Sequence, residues 1–245
     1  MAKKIKEQNY NIADVSAEGT ENKQHVPFAI VEAYKTIRAN LMFLLSGAKN
    51  KTVVLSSSNV GEGKSTTAVN LAIAFSQLGD KVLIIDADMR RASLHKKLKL
   101  ENKTGLSNVL AGFITAEEAI HPINDTLDAL TAGQLPPNPS ELLGSSRFKE
   151  FLADISSKYG YIIIDTPPVN IVSDTLLIAP QTAGMVLVVR DEFTYNDAIK
   201  RALSAIEFAN SFKEQVASIH HLILLKSMVR NIRIPTRLRA FCNFK

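Results

Sequence analysis

Residues 56–67 read SSSNVGEGKSTT. The stretch closes on Gly61, Gly63, Lys64 and Ser65, the order of a phosphate-binding loop, yet Ser58 stands where that motif's first glycine belongs. Its flanks settle the matter. "KTVVLSSS", residues 51–58, is a β-branched strand running into the loop, and "KSTTAVNLAIAFSQLGD", residues 64–80, is a helix closed by Gly79. A second strand, "KVLIIDADMR", follows at once, and strand, loop, helix, strand in that order is a right-handed parallel crossover. In this setting the backbone of Gly61, Glu62, Gly63, Lys64, Ser65 and Thr66 can wrap phosphate oxygens at a helix N-terminus. Lys64 would bring positive charge to the outer phosphates, and the Ser65 hydroxyl would bind Mg²⁺, so ATP and Mg²⁺ are the expected ligands.

Working outward, "FAIVEAYKTIRANLMFLLS" (28–46) has apolar residues at helical spacing. "LDALTAG" (127–133), "YGYIIIDTPP" (159–168) and "AGMVLVVR" (183–190) read as buried strands. A helix is expected within 139–159, and another, "TYNDAIKRALSAIEFAN", over 194–210. Continuous apolar strands separated by helices predict an α/β fold, a doubly wound, mostly parallel sheet with helices on both faces. The expected organisation is a flexible segment over 1–27, one phosphate-loop domain over 28–210, and an atypical basic tail over 211–245 in which "VASIHHLILLK" can form a last strand. In such a sheet the C-terminal strand edges face the ligand crevice, and Asp86, Asp88 and Asp165 all stand there. Carboxylates so placed can hold Mg²⁺, directly or through water, or take the proton of an attacking hydroxyl. For a single strand-end Asp the ordinary reading is a turn cap.

Composition narrows the remaining classes. The chain has 245 residues, is 46% hydrophobic and carries a net charge of +5. Seven Lys or Arg against the single acid Glu214 place that excess after residue 210, leaving residues 1–210 close to neutral, so no nucleic-acid partner is expected. No apolar run reaches bilayer-spanning length, and "MAKKIKEQNY" lacks a signal-peptide core, so a cytoplasmic location is expected. Cys242 is the lone cysteine, and adjacent His220 and His221 on a strand would point to opposite faces and chelate nothing together.

The combination of motifs is more specific than any one. A loop ending in GKS, a second strand with D-x-D-x-R (Asp86, Asp88, Arg90) and a third with hydrophobic-D-x-P (Asp165, Pro167) resemble the nucleotide motifs of the bacterial tyrosine kinases of capsular and exopolysaccharide synthesis, within the deviant P-loop group. "LTAGQLPPNPSELL" (130–143) and "TGLSNVLAG" (104–112) are similar to segments of the same family, although a turn with Ser140 as helix cap would explain part of the former. Partitioning-type ATPases share these strands but carry a second lysine in K-G-G-x-G-K-[ST]. Aligned on Lys64, this sequence has Asn59 at that lysine and Val60 at the first glycine.

The resemblance implies an ATP-dependent protein-tyrosine kinase in which Lys64, Asp86, Asp88 and Asp165 are catalytic, Asp86 or Asp88 acting as base, and Ser65, Asp86 and Asp165 hold the metal. It also implies a separate transmembrane adaptor, similar to a polysaccharide co-polymerase, whose cytoplasmic tail recruits the kinase to the inner face of the membrane. Protein tyrosines would be the substrates. Glu32, Lys35 and Arg38 resemble the family's E-x-x-R-x-x-R pattern for joining neighbours in a ring, with Lys35 in place of an arginine whose bidentate fork a lysine lacks. All five tyrosines (Tyr10, Tyr34, Tyr159, Tyr161, Tyr195) precede residue 200, whereas the family's tyrosine cluster is C-terminal. An abrupt change near Ser211 fits either an unusual tail or a frame change in the coding sequence. A positioning-type ATPase and a nucleotide-binding regulator without kinase activity are the alternatives.

Overall fold

Both faces of the central strands are apolar, which is why their sequences are continuous hydrophobic runs rather than alternating ones. The structure, a computed structural model, describes residues 28–211 and 222–227. Its elements run α1 (Phe28–Leu44), β1 (Thr52–Ser57), α2 (Lys64–Ser76), β2 (Val82–Asp86), α3 (Leu94–Lys97), α4 (Leu106–Ala111), α5 (Ala116–Ala119), β3 (Ile120–Pro122) and β4 (Leu127–Leu130). They continue with α6 (Pro139–Gly144), α7 (Ser146–Ser156), β5 (Tyr161–Asp165), α8 (Asp174–Ile178), β6 (Gly184–Arg190), α9 (Asn196–Ser211) and β7 (Leu222–Ser227).

The strands form one seven-stranded sheet in the order β3-β4-β2-β5-β1-β6-β7. Pairing is parallel throughout except for β3 against β4. The expected doubly wound α/β fold is therefore present. On one face Leu83, Ile85, Ile162, Ile164 and Leu187 pack with residues of α4, α6, α7, α8 and α9. On the other, Val82, Ile84, Ile163 and Val186 pack with α1 and α2. Each such fully buried aliphatic side chain contributes about 1.5–3 kcal/mol relative to exposure. Helix α2 is buried at every position from Ala68 to Ser76, because it lies between the sheet and α1.

The crossover from β1 passes over β5 to reach β2, so β5 lies between the two strands that frame the loop. Register then pairs Asp86 with Asp165 and Leu55 with Asp165. Residues distant in sequence are thereby set side by side at one sheet edge.

Three local expectations need correction. The single helix expected within 139–159 is two helices, broken at Ser145, whose extended backbone (φ −74°, ψ 162°) ends α6 and whose hydroxyl accepts from the Phe148 amide to start α7. Ser140 is not a cap: Asn138 precedes α6, and Ser140 lies within the helix. The helix expected to reach residue 46 ends at Leu44. The strand expected in 216–226 appears as β7, parallel to β6. Residues 1–27, His220, His221 and Cys242 lie outside the described residues, as does the rest of the basic tail.

Candidate active site

Strand β1 delivers the chain into the glycine loop, and two residues of that loop need glycine. Gly61 has φ +84° and Gly63, the N-cap of α2, has φ +90°, a region that L side chains rarely enter. Gly63 begins the helix through its carbonyl, which accepts from the Thr67 amide at 2.9 Å. Glu62, predicted with the loop for its backbone, does more with its side chain. Its carboxylate turns back and accepts from the amides of Ser58 (2.8 Å) and Asn59 (3.1 Å), and from the Thr194 hydroxyl (2.8 Å). Burial pushes its pKa up despite these donors. The loop therefore closes on a carboxylate at the point where the usual first glycine is replaced by Ser58.

A strap from the β6–α9 connection crosses the same loop. Arg190 donates to the Gly61 carbonyl at 3.3 Å, and its guanidinium lies 5.0 Å from the Phe193 ring centroid. The Phe193 ring stands 3.7 Å from where a Cβ on Gly61 would lie. Nothing in the residues 190–195 signals this role, because it depends on contacts across 129 and 132 residues of sequence.

Lys64 emerges from the first turn of α2 into a group of carboxylates. Its Nζ is 2.9 Å from Asp88 Oδ2 and 3.4 Å from Asp165 Oδ1, with the Ser65 hydroxyl at 3.2 Å. Burial alone would lower its pKa, but Asp165 and Asp88 outweigh that and hold it raised. Asp86 uses both oxygens on backbone amides, accepting from Asp88 (3.2 Å), Ser93 (2.9 Å) and Leu94 (3.0 Å). Asp88 also accepts from the Arg91 amide at 3.0 Å. The capping function, an ordinary one for a strand-end Asp, is thus present here beside the charged cluster.

The residues fit Mg²⁺ in part of the predicted set. Asp165 is fully buried, its Oδ2 has no hydrogen-bond partner among the described residues, and the Ser65 hydroxyl bonds its carboxylate. A hydroxyl and an unfilled carboxylate oxygen suit an ion that takes few protein ligands and keeps water and phosphate for the rest. No group of three or more His, Cys, Asp or Glu is gathered for a metal among the described residues. Asp86, bound to three amides, would reach an ion only through its remaining lone pairs.

Glu32, Lys35 and Arg38 do not act as one unit. Lys35 pairs with Glu32 at 2.8 Å, both half-exposed, whereas Arg38 donates to the Ala74 carbonyl and ties α1 to the end of α2.

A family profile described as an AAA domain matches residues 50–218. Tyrosine-protein kinase YwqD of Bacillus subtilis is 41% identical over 181 residues, covering 74% of this chain and 76% of that protein. The chain belongs to the bacterial tyrosine-protein kinases. Among solved structures, the chimerical protein CapA2B2 superposes with a TM-score of 0.74 at 35% identity, over 91% of this chain and 92% of its own. The kinase domain of Escherichia coli tyrosine kinase ETK gives 0.75 at 28% identity, over 89% and 88%. No helix among the described residues of this tyrosine kinase is long and apolar enough to cross a membrane.

In the kinase without nucleotide, burial and then the charge of Asp165 push Asp86 up to about 7, against the opposing amides of Leu94 and Ser93. The folded protein then holds a proton that the unfolded chain releases near pH 4. This contribution to stability is complete below about pH 4 and is lost as pH rises through about 7. Urea unfolding of the nucleotide-free protein should show stability declining across that window by on the order of 4 kcal/mol relative to Asp86→Asn. Parallel pH profiles for the two proteins would show that Asp86 does not carry the proton.

Proposed function

We propose that this kinase uses Mg·ATP to phosphorylate protein tyrosines in the control of capsular polysaccharide or exopolysaccharide synthesis and export, and that a transmembrane adaptor's cytoplasmic tail activates it at the inner face of the membrane. The observation that carries the mechanism is the Lys64 ammonium held between Asp88 and Asp165 at the mouth of the glycine loop, with Asp86 beside Asp165 on the next strand. Backbone amides from Gly61 to Thr66 would cradle the phosphates at the N-terminus of α2. Lys64 would exchange its carboxylate partners for the transferring phosphoryl oxygens. Ser65 and Asp165 would hold Mg²⁺, which when bound would supply positive charge against that developing on the phosphates. Asp86, with its pKa near neutrality, would orient the tyrosine hydroxyl and accept its proton, and Asp88 would guide Lys64. Transfer of this kind is mainly positioning and electrostatics, which matches a site built from fixed amides and buried charges.

Assembly into a homo-oligomer, a ring included, would use the exposed face of α1. There the Glu32–Lys35 pair would have to open to engage a neighbour.

The test is to incubate the purified chain with Mg·ATP, the adaptor's cytoplasmic tail and a tyrosine-rich acceptor peptide, recording phosphotyrosine, released phosphate and sedimentation together. Phosphotyrosine on the peptide is expected, with sedimentation above monomer mass that reverts on Glu32→Lys. Phosphate release without phosphotyrosine would replace the kinase reading with that of a switch ATPase.

A further inference from the structure

Arg90 closes D-x-D-x-R with no role assigned to it, and Ser140 of N-P-S-E-L-L, expected as a helix cap, lies inside α6 instead. They meet in space. Arg90 Nε donates to Asp174 Oδ2 at 3.0 Å, Arg90 Nη2 donates to Ser140 Oγ at 2.9 Å, and the Ser140 hydroxyl donates to Asp174 Oδ1 at 2.6 Å. The three side chains form a closed circuit in which both oxygens of a fully buried carboxylate are used. They come from three segments that follow strands of the sheet: Arg90 from the turn after β2, Ser140 from the first turn of α6, and Asp174 from the first turn of α8.

The location gives the circuit its purpose. Asp86 ends β2 and Asp88 sits on the turn that follows it, and Lys64 ties that turn to β5 by touching Asp88 and Asp165 together. Lys64 is also the group that phosphate would draw away. The carboxylate of Asp86, at the end of β2, accepts from Ser93 and Leu94 at the start of α3, and Asp88 accepts from Arg91 within the turn, so none of these bonds reaches β5 or the helices on the far side of the crevice. Besides the packing of Ala87 and Met89 in the core, two hydrogen-bonded ties from this turn to other elements among the described residues do not involve Lys64: the Ala87 amide on the Asp165 carbonyl at 2.8 Å, and Arg90. A planar guanidinium bonded on two edges fixes orientation as well as distance, and it does so here against a carboxylate that has no exposure to solvent.

We propose that Arg90 is a positioning residue for phosphotransfer, locked by Ser140 and Asp174 so that Asp86 and Asp88 keep their place when Lys64 moves to nucleotide. The proposal rests on the kinase reading and adds a requirement to it: Arg90 acts on turnover and not on nucleotide capture. It accounts for Ser140, whose hydroxyl is both acceptor and donor in the circuit, and for Asp174, whose charge would otherwise be buried unpaired.

The experiment compares the full chain with Arg90→Ala, Arg90→Lys, Ser140→Ala and the Arg90→Ala/Ser140→Ala double variant. It reads the Kd of a fluorescent ATP analogue with Mg²⁺ and kcat for a tyrosine-rich peptide. Arg90→Ala should lower kcat at least tenfold with Kd within about threefold, Arg90→Lys and Ser140→Ala should fall between it and wild type, and the double variant should be no worse than Arg90→Ala, because the residues act as one unit. Unchanged kcat in Arg90→Ala, a Kd that rises in step with the loss, or multiplying single effects would overturn the proposal. If Arg90→Ala does not fold, Arg90→Lys and Ser140→Ala decide by the same split between kcat and Kd. A wild-type chain that makes no phosphotyrosine counts against the kinase reading alone, and kcat for ATP hydrolysis then replaces transfer. Should hydrolysis also be absent, hydrogen exchange at the Ser93 and Leu94 amides decides: faster exchange in Arg90→Lys supports the lock, and equal exchange refutes it.

Discussion

Lys64→Met is expected to lower phosphotransfer to an acceptor peptide by about a thousandfold, since in the proposed mechanism it deletes the cation that meets the transferring group in a water-poor site. Methionine keeps most of the aliphatic stem, so the packing of the first turn of α2 is preserved. The electrostatic consequence for the protein itself is less obvious. Asp88 and Asp165 are 4% and 0% exposed at their side chains, and Lys64 is the cation paired with both. Removing one partner of a buried pair costs about 3–5 kcal/mol when the other must stay charged. Here a proton offers an escape, because burial already raises the Asp165 pKa and loss of Lys64 removes a group that lowers it. The variant should therefore come closest to wild-type stability in acid, where Asp165 is protonated, and lose stability relative to wild type as pH rises. Phosphotyrosine detection and urea unfolding at two pH values check both halves. Transfer at the wild-type rate would remove Lys64 from the mechanism, and a pH-independent stability loss would show that the carboxylates remain charged.

The legibility of this site in the sequence follows from how local each signal is. The loop could be read because a strand, two glycines, a lysine and a helix are consecutive, and the structure confirms that Gly61 and Gly63 need positive φ. Asp86 and Asp165 could be placed at one sheet edge because a parallel crossover fold leaves few other positions for apolar strands ending in Asp. Their direct register partnership could not be read, because it depends on β5 inserting between β1 and β2. Glu62 was read for its backbone in the phosphate cradle, and only the folded loop shows its carboxylate accepting from Ser58 and Asn59. Asp174 stands in the first turn of α8, an ordinary place for an acid, and no motif in the sequence marked it. Its partners are 34 and 84 residues away, beyond any periodicity. The break at Ser145 was hidden because α6 and α7 are both apolar on the sheet side and nearly continuous in sequence, so one hydrophobic pattern spans both. Strand β3 was missed for a different reason: three residues, one of them proline, give no alternation to read.

Gly105→Ala is expected to be the most destabilising single-methyl change in the described chain away from the nucleotide loop. The segments 104–112 and 130–143 looked related only because both are similar to family strings, and their physical connection is direct. Leu106 and Ser107 donate to the carbonyls of Thr131 and Ala132 at 2.8 and 3.0 Å, so the chain entering α4 runs along the extension of β4. Asn102 clasps Gly133 through both its side-chain oxygen and nitrogen, each at 2.9 Å. A Cβ on Gly105 would lie 2.2 Å from the Thr131 oxygen and 2.3 Å from the Gly133 nitrogen. Both are backbone atoms held in that ladder, so neither can rotate away as a flexible side chain would. The two segments must separate, and the loss of their hydrogen bonds adds to the steric cost, giving about 3 kcal/mol or more. For a domain of this size that is a fall in Tm of roughly 10 °C. Gly47→Ala is the control: no heavy atom lies within 4 Å of its would-be Cβ, and its effect should stay within about 1 kcal/mol. Because Leu130 ends β4 opposite Ile85, one residue before Asp86, the same displacement should reach the catalytic edge. Folded Gly105→Ala protein should bind Mg·ATP normally, through the loop on the other side of β5, and turn over more slowly. Calorimetry beside a nucleotide titration tests both parts; equal Tm values for Gly105→Ala and Gly47→Ala would mean that the two backbones separate at no cost.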